Sequence, residues 1–160
     1  MKIAIASDLS GFPLKEAIVK HLKEKNYEII DFGIPNESEP KPYFIQAPKV
    51  AQAIQKGEVE RGILVCGTGQ GMAIVANKFK GVYAVCCEST YTAEKCRAIN
   101  NANVLTFGAF IVGEKKGYDM CKVFLTTNLG DNLEEFRTNN VKKAFPVVQE
   151  LEASFFKQTS

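Results

Sequence analysis

Short apolar runs rich in β-branched residues alternate along this chain with longer stretches whose apolar residues recur at helical spacing. The runs are apolar on both faces, which predicts strands buried on both sides. Five strands are predicted, at residues 2–6, 27–32, 62–66, 82–87 and 103–107. Buried strands alternating with helices indicate a parallel sheet covered on both faces. The pattern therefore predicts an α/β fold, with residues 1–160 forming a single Rossmann-like, doubly wound domain around a five-stranded parallel sheet.

The stretches between the strands predict helices. Pro13 suits the first turn of the first helix, in which Leu14, Ile18 and Leu22 form an apolar stripe. Further helices are predicted over residues 44–55, 72–79, about 90–100, near 113–127 and 132–156. Gly57 is expected to close the helix that precedes it.

The last helix, at about 132–156, is more apolar than a free tail should be. Its large apolar residues include Val147, Val148, Leu151, Phe155 and Phe156. We expect this helix to pack on a partner subunit, and the alternative is packing on its own domain. The four residues that follow it, KQTS, are expected to fray.

The composition is that of an ordinary globular protein. Hydrophobic residues make up 46% and charged residues 24%, and the net charge is +2. A net charge this small does not predict a basic surface that binds nucleic acid or an anionic membrane. No apolar run approaches the roughly 18 residues that a membrane-spanning helix needs. His21 is the only histidine and no CxxC occurs, so a structural zinc site is not expected. The five cysteines lack framework spacing, which together with the missing signal peptide predicts reduced thiols and a cytoplasmic location.

The sequence CGTGQGM at residues 66–72 follows an apolar strand directly and opens into a helix. Its glycines allow a sharp turn that leaves backbone N–H groups uncovered, which suits an anion, although a plain tight turn would look the same. The spacing fits neither the dinucleotide fingerprint nor the P-loop. Cys66 stands at the head of this turn, where a thiol is well placed to act as a general base or a nucleophile. The alternative is a small buried residue that fills the sheet edge.

Several longer segments give the chain a resemblance to a known family. They read MKIAIASD and SGFPLKE near the start, GILVCGTGQGMAIVANKFKGVYA in the middle, and TAEKCR with INNANVLTFGAFIVG further on. With these segments, which cover about residues 1–127, the chain resembles the ribose-5-phosphate isomerase type B and galactose-6-phosphate isomerase family. The resemblance implies a Rossmann-like dimer or tetramer with shared active sites. It also implies aldose–ketose isomerisation of a small anionic sugar through an enediolate, with no metal or organic cofactor.

The resemblance also implies a role for particular residues. Cys66 would be the base that moves a proton between C1 and C2 of the sugar, and Thr68 would assist. The backbone around three glycines would stabilise the enediolate oxygen. The expected substrate contacts are Asp8, Ser10, Tyr43, Gly67, Gly69, Gly71, Asn100 and Arg137.

The chain departs from the family pattern at positions that usually carry chemistry. Leu9 and Ile99 stand where the family has histidines, the second of which is the usual ring-opening acid–base. Residues Asp131 to Glu134 stand where the family has a Gly-Gly-Arg-His motif, so the arginine of that motif is missing. Of the arginines that usually bind the substrate phosphate, only Arg137 is kept. Tyr83 replaces a common arginine.

These departures leave several functions open. The protein could isomerise a sugar that needs little ring opening, such as a tetrose phosphate or a keto-uronate. It could be one subunit of a two-subunit isomerase whose paralogue supplies the missing groups, or an ordinary pentose phosphate isomerase with substituted acids. A non-catalytic sugar-phosphate sensor would also lose such groups, but a sensor gains nothing obvious from a reactive thiol. The Gly pattern disfavours a nucleotide-binding module.

Overall fold

The computed structural model describes residues 1–157, and its elements alternate as the sequence predicts. The strands are β1 (Lys2–Ser7), β2 (Glu28–Asp31), β3 (Arg61–Cys66), β4 (Ala84–Cys86) and β5 (Val104–Gly108). The helices are α1 (Phe12–Glu24), α2 (Tyr43–Gln55), α3 (Gln70–Ala76), α4 (Thr90–Ala98), α5 (Glu114–Thr126) and α6 (Glu135–Lys157). The predicted fraying concerns mainly residues 158–160, which lie outside the described residues.

All five strands are parallel, in the order β2-β1-β3-β5-β4, which confirms the predicted doubly wound sheet. Side chains alternate between the two faces, so that Ile63 and Val65 enter one core while Leu64 and Cys66 enter the other. Helices α1, α4 and α5 cover the first core and α2 and α3 cover the second. None of the helices within residues 1–157 is long and apolar enough to cross a membrane.

Strand β4 is shorter than the predicted strand at 82–87. It begins at Ala84, because the N–H of Tyr83 donates to the side chain of Asn103 at 2.8 Å rather than to a neighbouring strand. The side chain of Asn77 bonds both the N–H and the carbonyl of Ala84, each at 2.7 Å. A side-chain amide thus replaces half of the backbone pairing at Tyr83, whose carbonyl still accepts the N–H groups of Asn103 and Val104.

Gly11 sets how closely α1 approaches the end of β3. A Cβ at this buried position would lie 2.9 Å from the backbone nitrogen of Cys66 and closer still to the carbonyl of Val65. We expect Gly11→Ala to destabilise the protein by roughly 1–3 kcal/mol or more, because backbone cannot give way as a flexible side chain can. The measurement is the midpoint of urea unfolding, with Gly113→Ala as the matched control, since a Cβ there would meet open space. Equal midpoints for the two variants would contradict the expected clash.

Candidate active site

The carboxyl ends of β1 and β3 lie side by side, because Ser7 pairs with Val65 across the sheet. Asp8 and Cys66, which come next along the two strands, therefore share one edge. The strand order also reverses between β1 and β3, since β2 lies on one side of this pair and β5 on the other. Open α/β sheets bind their ligands outside the strand ends at such a reversal. The fold thus places the sequence-predicted thiol where a site is expected.

The turn that we call the thiol loop, residues 66–71, is fixed by its own backbone. The sulfur of Cys66, a residue only 5% exposed, accepts a hydrogen bond from the N–H of Gly69 at 3.0 Å. Gly69 has φ +82°, and a Cβ there would lie 2.6 Å from the backbone of Phe107. The hydroxyl of Thr106 on β5 donates to the carbonyl of Gly69 at 2.8 Å. The loop is thereby held against the sheet, with the exposed Thr68 at its tip.

Two aromatic rings flank the thiol loop. A Cβ at Gly67 would lie 2.6 Å from the ring of Phe110, and one at Gly71 would lie 2.8 Å from the ring of Tyr43. Tyr43 is thus brought to the loop, as expected of a residue that lines the pocket. Phe110 was missed by the sequence analysis, although an exposed aromatic directly after a strand that ends in Gly108 is a usable signal. The two rings leave the tip of the loop open between them.

Asp8 lies at the same edge in a partly buried position. Its carboxylate accepts the N–H of Gly11 at 3.0 Å. Burial raises the pKa of Asp8, against the lowering effect of backbone N–H donors that include Gly11 and Ser10. Ser10 is exposed and lines a cleft of about 430 Å³ together with Phe110. The structure therefore brings Asp8, Ser10 and Tyr43 to the edge that carries the thiol loop.

Gln46 is a second residue that the sequence analysis missed. It is fully buried on α2, one helical turn after Tyr43, and its side-chain N–H donates to the carbonyl of Ser7 at 3.1 Å. This bond fixes the chain immediately before Asp8. A polar residue on the apolar face of the predicted second helix was the available signal.

Asn100 and Arg137 lie elsewhere in the chain. Helix α4 starts near the strand ends and runs back for nine residues, about 13 Å, before it reaches Asn100 at the opposite edge. Arg137, at the start of α6, lines a pocket with Ile99 and Leu133 beside α4. That pocket borders the layer of α1, α4 and α5, whereas Cys66 belongs to the core under α2 and α3. A single chain does not assemble the full set of expected site residues.

Helix α6 makes only sparse contacts with its own domain. The carboxylate of Glu152 accepts the N–H of Gly81 at 2.7 Å and the hydroxyl of Tyr83 at 3.0 Å, and Phe145 packs edge-on against Tyr83. Burial, together with Glu152, raises the pKa of Tyr83 to about 12. No α6 side chain that the structure describes is buried, and the exposed apolar ones include Phe136, Val147, Leu151 and Phe155. One side of α6 thus touches its own domain, while a broad apolar surface stays uncovered.

Within the described part of the chain, no three His, Cys, Asp or Glu side chains come together as a metal-binding group. The five cysteines are all free thiols. Cys86 lies against the thiol loop from outside it: its thiol donates to the carbonyl of Thr68 at 3.5 Å, and burial raises the pKa of this thiol.

The chain is similar to known proteins along nearly its whole length. The sequence profile of the Ribose/Galactose Isomerase family matches residues 3–142. A 4-deoxy-4-sulfo-D-erythrose isomerase of Clostridium sp. (strain MSTE9) is 54% identical over 158 residues, which are 99% of each chain. A D-erythrulose-4-phosphate isomerase of Pectobacterium atrosepticum is 38% identical over 125 residues, 78% of this chain and 82% of the relative. The solved ribose-5-phosphate isomerase B of Clostridium thermocellum superposes with a TM-score of 0.82 at 36% identity, covering 94% of this chain and 99% of that one.

These likenesses, together with the fold, define the class: the protein is an aldose–ketose isomerase that acts on a small sugar. The chain belongs to the Ribose/Galactose Isomerase family. The resemblance that the sequence analysis identified is thereby confirmed.

Proposed function

We propose that this protein interconverts an open-chain four-carbon aldose and the corresponding ketose, each with an anionic group at C4. The observation that carries the proposal is Ile99, which cannot transfer a proton and stands at the position where the resemblance implies a ring-opening histidine. A tetrose closes a five-membered ring through the hydroxyl at C4. A sulfonate or phosphate at that carbon prevents this closure, so no group for ring opening is needed. Two relatives whose names specify four-carbon substrates of this kind support the proposal.

The reaction needs one base and one stabilised oxyanion. The thiolate of Cys66 removes the proton from C2 of the aldose, and the electron pair shifts towards C1 so that O1 becomes the enediolate oxygen. A proton then moves from O2 to O1 with the help of the Thr68 hydroxyl, and the thiol of Cys66 returns its proton to C1 to give the ketose. Backbone N–H groups of the thiol loop would stabilise the enediolate; preorganised donors of this kind contribute roughly 3–4 kcal/mol each. Asp8 and Asn100 would hold the sugar hydroxyls.

The charge at the C4 end distinguishes a sulfonate from a phosphate. A sulfonate carries a single negative charge at neutral pH, whereas a phosphate monoester carries about −1.5 to −2. Of the family's phosphate-binding arginines this chain keeps only Arg137, and Leu133 lies beside it in the same pocket. The single guanidinium of Arg137 matches the single negative charge of a sulfonate. This favours a sulfonated substrate, and the name of the relative from Clostridium sp. specifies a sulfonated sugar.

The complete site would form between two copies of the chain. Asn100 and Arg137 are both exposed and lie apart from the thiol loop of their own chain. The uncovered apolar side of α6 lies near them, because Val148 and Ile99 line the same pocket. A second copy that covers this side would bring Asn100 and Arg137 of one chain to Cys66 of the other.

Proton exchange tests the substrate class directly. The purified protein is incubated in deuterated water with 4-deoxy-4-sulfo-D-erythrose, D-erythrose 4-phosphate, D-ribose 5-phosphate and a keto-uronate, and NMR follows deuterium entering at the carbon next to the carbonyl. We expect the fastest exchange and the highest kcat/KM with the sulfonate, lower values with the tetrose phosphate, and the lowest with the ring-forming pentose phosphate. Fastest turnover of ribose 5-phosphate would contradict the open-chain proposal. A folded protein that exchanges none of the four would be a sensor, or one half of an enzyme with a paralogous subunit.

A further inference from the structure

A polar cavity of about 340 Å³ lies at the amino-terminal edge of the sheet, opposite the thiol loop. We call it the arginine cavity, because Arg61 at the start of β3 and Arg97 near the end of α4 both line it. Gln149 of α6, Asn101 and Asn103 contribute further polar walls. Neither arginine has a role in the reaction proposed above.

Arg97 is almost completely buried, at 3% exposure, and all its hydrogen bonds go to uncharged oxygens. Its Nε donates to the carbonyl of Thr127 at 3.2 Å, and one terminal nitrogen donates to the carbonyl of Ala102 at 2.6 Å and to the side-chain oxygen of Asn101 at 2.9 Å. Buried charges are ordinarily paired with an opposite charge. Among residues 1–157, no carboxylate forms an ion pair with this guanidinium.

Arg61 adds a second positive charge to the same cavity. One of its terminal nitrogens donates to the carbonyl of Glu60 at 2.9 Å, but its buried Nε has no hydrogen-bond partner in the described part of the chain. A buried donor without an acceptor destabilises the fold, so an acceptor supplied by a ligand would be favoured here. Burial, and then the charge of Arg61, lower the pKa of Arg97 to about 10, as expected of two like charges that line one cavity.

The carboxylates around the cavity do not neutralise this pair. Glu60 is exposed and bonds Arg61 only through its backbone carbonyl, and its carboxylate attracts Arg61 without forming an ion pair. Both oxygens of Glu152 are taken, by the N–H of Gly81 and the hydroxyl of Tyr83. Asp131 attracts Arg97 electrostatically, but one of its oxygens accepts the backbone and side-chain N–H groups of Asn128.

We propose that the arginine cavity binds a small tetrahedral oxyanion of the sulfate or phosphate type. Such an anion accepts the unpartnered Nε–H of Arg61 and compensates the repulsion between the two guanidinium groups, a role for which guanidinium geometry is suited. The site is separate from the thiol loop of its own chain, since Arg61 and Cys66 are the two ends of β3, roughly 16 Å apart. Because Phe145 and Gln149 of α6 form one wall, a bound anion also stabilises the contact between α6 and its domain.

NMR of the arginine side chains tests this binding directly. Full-length protein with ¹⁵N-labelled arginine is titrated with sodium sulfate, and separately with sodium phosphate, at an ionic strength kept constant with sodium chloride. Only three arginines are present, so the Nε–H signal of Arg61 is assigned by its loss in Arg61→Lys. We expect a saturable shift of this signal, and the same shift in Arg137→Gln, which removes an exposed guanidinium elsewhere. Saturation by phosphate at a lower concentration than by sulfate would support the site and identify phosphate as the preferred of the two anions.

Two results would overturn the proposal. A shift that grows linearly with anion concentration, or no shift at all, would show an adventitious ion only. Competition between sulfate and the sugar substrate that disappears in Arg61→Gln would make the cavity part of the catalytic site rather than a separate one. Because the titration is read from Arg61 itself, its outcome does not depend on which sugar the enzyme isomerises.

Discussion

Replacement of Cys66 by alanine is expected to abolish isomerisation and to leave the fold intact. General acid–base catalysis by one positioned side chain contributes about a hundred- to ten-thousand-fold in rate, so kcat should fall by at least that lower factor. Substrate binding should change little, because the thiol is only 5% exposed and the loop backbone stays anchored to Thr106. The measurements are kcat and deuterium exchange at the substrate carbon, with thermal unfolding to check the fold. Retention of a tenth of the activity would show that another group is the base.

Cys86→Ser is the matched control for this experiment. Cys86 is a half-exposed thiol that also touches the thiol loop, through the carbonyl of Thr68. Burial raises the pKa of the Cys86 thiol, which lowers the fraction of it that is present as thiolate. We expect this variant to keep most of its activity, so that an effect of cysteine replacement in general is distinguished from loss of the base.

Mixing two inactive variants is expected to restore activity. If each site takes Cys66 from one chain and Arg137 from the other, Cys66→Ala and Arg137→Gln form mixed dimers in which one of the two sites is intact. Random pairing of equal amounts makes half of the dimers mixed, so about one quarter of the sites should be active after unfolding and refolding together. The measurement is the activity of the mixture against each variant refolded alone. No recovery, from variants shown to pair, would place both residues in one chain.

The uncovered side of α6 gives an independent check on the same arrangement. Leu151 is 56% exposed in the single chain, so Leu151→Asp should not disturb a lone domain. A charge buried in a subunit interface is costly, and we expect this variant to shift the protein towards monomers with loss of activity. Light scattering after size-exclusion chromatography measures the mass. Asn139→Asp is the control charge at an exposed position of the same helix, and an unchanged mass for Leu151→Asp would count against α6 as an interface.

The sequence predicts the sheet well because each strand carries its own signal. A run such as that in β3 is apolar on both faces, as every central strand of a covered parallel sheet is. It can therefore be recognised as a strand without knowing which strands lie beside it. Strand ends are harder to predict. The start of β4 depends on the side chain of Asn103, which is 20 residues from Tyr83 and meets the strand only after folding. The strand propensity of each residue contains no information about contacts of this kind.

The candidate site was predictable only in part, for a related reason. The thiol loop follows from local sequence, since Gly69 must adopt a positive φ next to a strand end. Phe110 and Gln46 reach the site through the packing of β5 and α2, and no spacing in the sequence specifies those approaches. The separation of Asn100 from Cys66 depends on the direction of α4 and is visible only in three dimensions. A cytoplasmic location and the absence of a cofactor stay predictions.

The distance between the thiol loop and the residues around Ile99 has an evolutionary consequence. The glycines of the loop lie against the backbone of Phe107 and two aromatic rings, so larger residues cannot replace them without displacing these neighbours. Ile99 and Arg137 are exposed, and surface positions tolerate substitution within about 0.5 kcal/mol. On the mechanism proposed above, a lineage can therefore exchange one sugar for another by substitution at these outer positions while it keeps the thiol loop unchanged. Gene duplication extends this freedom, because one copy can evolve the recognition surface while the other retains the base.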